Sequence, residues 1–255
     1  MWKTVLIIIA VLLGTYRVLA LRKHDVTVLA ALGFSLDRHQ VVNIAVGAAI
    51  GTIAISGIFL LELWCKLLTV SNIGPVSALI RDFSTFILVP LMEETVFRCA
   101  ILGALLLVIK QRSVAIVISA AVFGILHAFN PNATVLSVLS TTLGGLAYSV
   151  AFASKERIWL PFGLHFGWNY TQARVFGFSI SGSPVHGPAP FIQQHDLGPA
   201  LVTGGAYGPE GGLLGLCARI LVLAMIAVWL IVEQRRRRAI DLRDSKVCQG
   251  SHISN

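Results

Sequence analysis

FSTFILVPLMEETVFRCAILGALLLVI, residues 83–109, is apolar along its length apart from a few hydroxyl side chains and three charges, Glu93, Glu94 and Arg98. It exceeds the roughly 20 residues that a helix needs to cross a bilayer. A charge at membrane depth costs at least about 2.5 kcal/mol, and such residues face a wet cavity or a partner and mark a functional site by default. At i and i+4, Glu94 and Arg98 are placed to pair on one helix face. Glu93 is turned about 100° away by the helical period. One carboxylate is thereby neutralised and the other is left available as a general acid or base.

Six further apolar segments flank this one: 4–21, 41–61, 114–129, 135–153, 159–178 and 213–232. The composition agrees, with 56% hydrophobic and 13% charged residues and a mean hydropathy of +0.80. The expected fold is an all-α polytopic membrane helix bundle of about seven transmembrane helices, with the active site inside the bundle. Segment 83–109 is long enough to be tilted or broken after Arg98. Residues 1–234 form the transmembrane domain and 235–255 a basic tail. No internal repeat is visible, and the short connections leave no room for a soluble domain.

The net charge of +8 does not point to nucleic acid, because the basic residues sort by membrane side. Arg22, Lys23, Arg38, Lys110, Arg112, Lys155, Arg157, Arg235, Arg236, Arg237, Arg238, Arg243 and Lys246 fall on one side, against Lys3, Lys66, Arg81 and Arg174 on the other. The positive-inside rule then places the tail in the cytoplasm and the N-terminus outside, in the cell membrane, as an odd number of spans requires. Segment 4–21 reads as a retained span, since Arg17, Arg22 and Lys23 lie on the wrong flank for a signal peptide and no small-residue cleavage site follows; the signal-peptide reading stays open. Cys65, Cys99, Cys217 and Cys248 have no paired or metal-type spacing. The Gly- and Pro-rich stretch 179–212 is either a plain connection or a lid.

Two other spans carry polar residues at helical spacing: Phe123 with His127, and His165 with Asn169. Gly163 and Gly167 beside the latter have the small-xxx-small spacing that lets helices approach closely. Counting from the basic flanks at 1.5 Å per residue, Glu93 lies about 26 Å deep, His127 about 22 Å, His165 about 12 Å and Asn169 about 18 Å. With tilt, the four meet around one cavity. A carboxylate with a histidine can deprotonate water, and a second histidine with an asparagine can hold an oxyanion. The set therefore reads as a hydrolytic site.

These three motifs, EExxxR at Glu93–Arg98, FxxxH at Phe123–His127 and HxxxN at His165–Asn169, occur in the order found in the CPBP intramembrane proteases, the CAAX-processing and bacteriocin-processing (Abi) group. The chain resembles that family over a core of about 78–175. The resemblance implies an endopeptidase acting on a membrane-associated protein or peptide, prenylated or carrying a leader. It implies that Glu93 and His127 activate water, that His165 and Asn169 form the oxyanion hole, and that Glu94, Arg98 and Phe123 support them. The family is commonly labelled metallo-endopeptidase; Glu93, His127 and His165 are the residues that would ligate zinc, and a metal-free glutamate mechanism accounts for the same set. Prenyl-protein-processing members work at the cytosolic face, whereas the depths above put His127 nearer the outside. A non-proteolytic immunity or scaffold protein of the same fold, and a proton-coupled transporter using Glu93 and His127, are the alternatives; the missing repeat weighs against the transporter. A segment at 204–212, GGAYGPEGG, looks like one in bacterial members and is assigned no role.

Overall fold

The computed structural model describes residues 2–22, 26–184 and 189–251. Lys23 and the side chains of Lys3, Arg22, Arg237, Arg243 and Lys246, all counted for orientation, lie outside the described residues. The helices are α1 Trp2–Arg22, α2 Val28–Ala31, α3 Arg38–Trp64, α4 Phe83–Glu94, α5 Gly103–Val108, α6 Arg112–His127, α7 Val135–Ala153, α8 Trp159–Tyr170, α9 Ala200–Thr203 and α10 Leu213–Ser251. Two strands, β1 Leu68–Ile73 and β2 Ile192–Asp196, pair antiparallel outside the bundle, an element that the hydropathy pattern did not announce. The chain is a helical membrane protein. Arg38–Trp64, Val135–Ala153 and Leu213–Arg236 are long and apolar enough to cross a bilayer, while Ala10–Leu21 and Arg112–His127 are apolar but shorter.

Segment 83–109 is not broken after Arg98. It runs from α4 through a π-helical stretch, Thr95–Leu102, into α5. The wider turn begins at Thr95, whose hydroxyl donates to Leu91 O at 2.7 Å. It lies one turn beyond Pro90, which has no N–H to give the ladder. π-Helical turns are uncommon and recur at functional sites. Segment 159–178 likewise ends in a π turn, Thr171–Val175. α10 continues as helix through the basic tail to Ser251.

The closest helix pair is α3 with α8. A Cβ added at Gly47 would sit 2.4 Å from Leu160 O, at Gly51 2.5 Å from Leu164 O, at Gly163 2.3 Å from Ile44 O, and at Gly167 2.3 Å from Ala48 O. Each helix offers a small-xxx-small ridge to the other, so only glycine permits this approach. The consequence for function is positional: α8 carries His165 and Asn169, and its height and rotation are set by this contact.

The two ends of the bundle differ. At one end Glu156 pairs with Arg17 at 3.0 Å and Arg112 at 3.3 Å, and Lys155 pairs with Glu233. Arg17 is buried and also donates to Ala31 O at 2.6 Å. At the other end lie β1, β2, the C-terminal turns of α6 and α8, and the stretch 179–212, of which 185–188 lie outside the described residues.

Candidate active site

Glu93, His127, His165 and Asn169 line one cavity of about 290 Å³. The cavity is walled by α4 and the π stretch, α6, α7, α8, α10 and the loop residues Ile180, Ser181 and Glu210. The meeting expected from depth therefore occurs.

Glu94 and Arg98 are fully buried, with Arg98 Nε 3.2 Å from Glu94 Oε2. Both of these atoms lack a hydrogen-bond partner, so their contact is an ion pair without good hydrogen-bond alignment. Arg98 Nη2 donates to Gly145 O at 3.2 Å, and the guanidinium lies 4.5 Å from the Phe123 ring centroid and 5.0 Å from that of Tyr148. A buried cation held by one carboxylate and two ring faces has its charge met on several sides. Glu93 behaves differently: its side chain is 26% exposed, on the cavity wall, and its Oε2 is 3.7 Å from His165 Nε2, beyond hydrogen-bond range.

The tautomers follow from the partners. His127 Nδ1 is 2.7 Å from Phe123 O, and a carbonyl only accepts, so Nδ1 donates and the Nε2 lone pair of the neutral ring is free. His165 Nδ1 is 2.8 Å from Glu94 Oε1 and donates to that carboxylate, which leaves Nε2 as the edge nearer Glu93. Phe123 touches the motif residues at once, with ring centroids 4.4 Å from His127 and 6.3 Å from His165.

Several residues in the wall escaped the sequence reading. Tyr148 stacks on His165 with centroids 4.8 Å apart and planes at 14°. Arg219 Nη1 donates to Tyr148 OH at 2.9 Å and Arg219 Nη2 to Glu210 Oε1 at 3.0 Å, with the guanidinium 3.6 Å from the Trp168 ring centroid. Glu210 also receives Trp168 Nε1 at 3.0 Å, Ser181 N at 2.8 Å and Ser181 Oγ at 3.0 Å. The segment 204–212 thus delivers a buried carboxylate to the cavity. The signal for Arg219 was present: it is a lone charge inside the apolar stretch 213–232, which the rule applied to Glu93 also picks out. Tyr148 had no such signal, being one aromatic residue in an apolar span.

Among the described residues no group of three or more His, Cys, Asp or Glu side chains is gathered so as to hold a metal ion. Glu93, His127 and His165 share the cavity, and with each Nδ1 on a protein acceptor each ring keeps Nε2 as its ligating nitrogen, an arrangement that metal-bound histidines also use.

No curated protein and no solved structure matches the chain. Residues 75–171 match the family described as type II CAAX prenyl endopeptidase Rce1-like. That segment holds all three motifs, from Glu93 to Asn169, and excludes Glu210 and Arg219. The recognition made from the motifs therefore stands: over these residues the chain is similar to the CAAX-protease, or CPBP, family.

Proposed function

We propose that the protein is an intramembrane endopeptidase that hydrolyses a peptide bond of a membrane-associated protein or peptide through a glutamate-activated water. The observation that carries this reading is the convergence of Glu93, His127, His165 and Asn169, from three helices, on one cavity. Glu93, accessible from the cavity, takes a proton from the attacking water, and His127 Nε2 accepts a hydrogen bond from the O–H that the water keeps. The oxygen attacks the scissile carbonyl carbon, whose oxyanion is held by His165 and the Asn169 amide. Glu93 then returns the proton to the leaving amine as the C–N bond breaks. For Nε2 of His165 to donate while Nδ1 stays on Glu94, the ring carries both hydrogens; with Glu93, Glu94 and Arg98 the four formal charges cancel, which suits a low-dielectric site.

The segments 4–21 to 213–232 are taken as seven spans, with α10 entering the cytoplasm. Under the positive-inside rule the end bearing Arg112, Lys155 and Arg157 is then cytoplasmic, and the cavity opens at the opposite face. A substrate reaching it is presented from outside, as a leader-bearing or other exported peptide is, rather than from the cytosol.

The test is cleavage of membrane-tethered leader and prenylated peptides in liposomes by wild type and Glu93→Gln, with and without a chelator. Cleavage by wild type alone, unaffected by chelation, is the expected result. A folded wild type that cleaves nothing across the panel overturns the protease reading in favour of an immunity or scaffold role. Sidedness is read from a variant retaining Cys65, exposed just after α3, as its one cysteine. Labelling of intact cells by a membrane-impermeant maleimide is expected, and labelling only after lysis reverses the orientation.

A further inference from the structure

We infer that Tyr148 is a further catalytic residue, donating its phenolic hydrogen to the oxyanion alongside His165 and Asn169. The inference rests on the protease reading above. Tyr148 lies outside the three motifs, on α7, yet lines the same cavity as Glu93, His127, His165 and Asn169. Its ring lies nearly parallel to the His165 imidazole, so the phenol and the proposed oxyanion donor are held as one stack.

The hydrogen-bond inventory at its oxygen is asymmetric. Arg219 Nη1 donates to it at 2.9 Å, and a guanidinium has no acceptor to offer in return. The phenol's own hydrogen must therefore find another acceptor, and none is found for it among the described residues. Tyr148 is 1% exposed and lines the cavity, and a buried hydroxyl with an unused donor is costly unless a ligand or water takes it. A carbonyl oxygen that becomes negative in the transition state is the acceptor that benefits most.

Arg219 strengthens the donor. A cation on the phenol oxygen draws electron density from the O–H bond, and charge-assisted hydrogen bonds are roughly twice as strong as neutral ones. The site is built to hold Arg219 there. A Cβ at Gly144 would meet Arg219 Nη1 at 2.6 Å, so glycine leaves the room that the guanidinium fills. Glu210 neutralises the cation from the far side, and Trp168 stacks beneath it. The segment 204–212 thereby has a role in the chemistry: through Glu210 it fixes the arginine that fixes the phenol. The step is a hydrogen bond only; no proton leaves Tyr148.

The experiment compares Tyr148→Phe with wild type in liposomes on a membrane-tethered peptide that wild type cleaves and Glu93→Gln does not. Phenylalanine keeps the stack on His165 and deletes only the hydroxyl. The expected result is a fall in kcat on the order of 10²-fold with KM little changed. Binding of a peptide phosphinate, which mimics the tetrahedral oxyanion, is expected to weaken by a similar factor while binding of the uncleaved peptide to the Glu93→Gln background does not. Wild-type kcat in a folded Tyr148→Phe, or a lowered kcat with unchanged phosphinate affinity, overturns the inference and leaves the protease reading intact. Should Tyr148→Phe fail to fold, 3-fluorotyrosine at this position supplies a more acidic phenol in nearly the same volume. Tighter phosphinate binding then supports the assignment, and unchanged binding overturns it.

Discussion

Glu94 receives His165 Nδ1 at 2.8 Å on one carboxylate oxygen and faces Arg98 Nε at 3.2 Å with the other. One buried group thus both neutralises a buried cation and orients an imidazole on another helix. The adjacent glutamates of the EE pair consequently have different work: Glu94 holds the frame and Glu93 faces the cavity.

Glu94→Gln is expected to lower stability by about 3–5 kcal/mol, because it strands the Arg98 charge in the interior. Replacing the cation as well, in Glu94→Gln with Arg98→Met, removes the stranded charge and is expected to restore much of that loss. Cleavage should stay low in both, since His165 has lost its anchor. Thermal unfolding in detergent alongside the peptide assay separates the two effects. Unaltered melting of the single variant would mean that the ring faces of Phe123 and Tyr148 suffice for Arg98.

Asn169→Ala tests the oxyanion assignment. Loss of one such donor costs about 10²–10³ in kcat, with KM nearly unchanged because the donor acts on charge that exists only in the transition state. Glu93→Gln should fall to background. A rise in KM alone for Asn169→Ala would reassign it to substrate binding.

The site was legible in the sequence because its chemistry is written at helical spacing in apolar surroundings, where every polar residue stands out. Glu94 with Arg98, Phe123 with His127 and the glycine pair beside His165 are all i, i+4 relationships, and each appears in the structure as a contact or a shared face. The π stretch at Thr95–Leu102 was not legible, since its cause is a local trade of hydrogen bonds rather than a change in hydropathy. Nor was the Glu210 network, because its partners Trp168, Ser181 and Arg219 come from α8, a loop and α10, and only the tertiary fold joins them. The seven-span count depended on apolar length alone. Interruptions at Thr95 and Thr171 leave two of those segments without one long regular helix.

The α3–α8 contact can be tested by a pair of substitutions with opposite expected signs. Gly163→Ala drives a methyl to within 2.3 Å of Ile44 O, and overpacking of this kind costs about 1–3 kcal/mol. On the same α3 helix, Gly57 has nothing within 4 Å of an added Cβ, so Gly57→Ala is expected to be neutral or to gain up to about 1 kcal/mol of helix propensity. Melting temperatures in one detergent check both. Equal melting for the two variants would mean that α8 can slide to relieve the clash, and the height of His165 would then not be set by glycine.

Glu210→Gln addresses the fastening of the loop to the bundle. The carboxylate accepts four hydrogen bonds, two on each oxygen, from Trp168, Arg219 and Ser181. An amide presents one acceptor and one donor, so two of those donors would face a donor, and the Arg219 charge would lose its counterion. The expected cost is about 3–5 kcal/mol, with faster nicking of residues 179–212 in limited proteolysis and reduced cleavage, because Trp168 adjoins Asn169. Asp196→Asn is the control from the same region: its carboxylate receives Gly198 N and Thr203 Oγ1 in a more exposed setting, where a hydrogen bond contributes about 0.5–1.5 kcal/mol. The two variants should therefore differ in nicking rate as well as in melting. Were they nicked alike, the stretch would be held by β2 and its turns, and Glu210 would act on Arg219 alone.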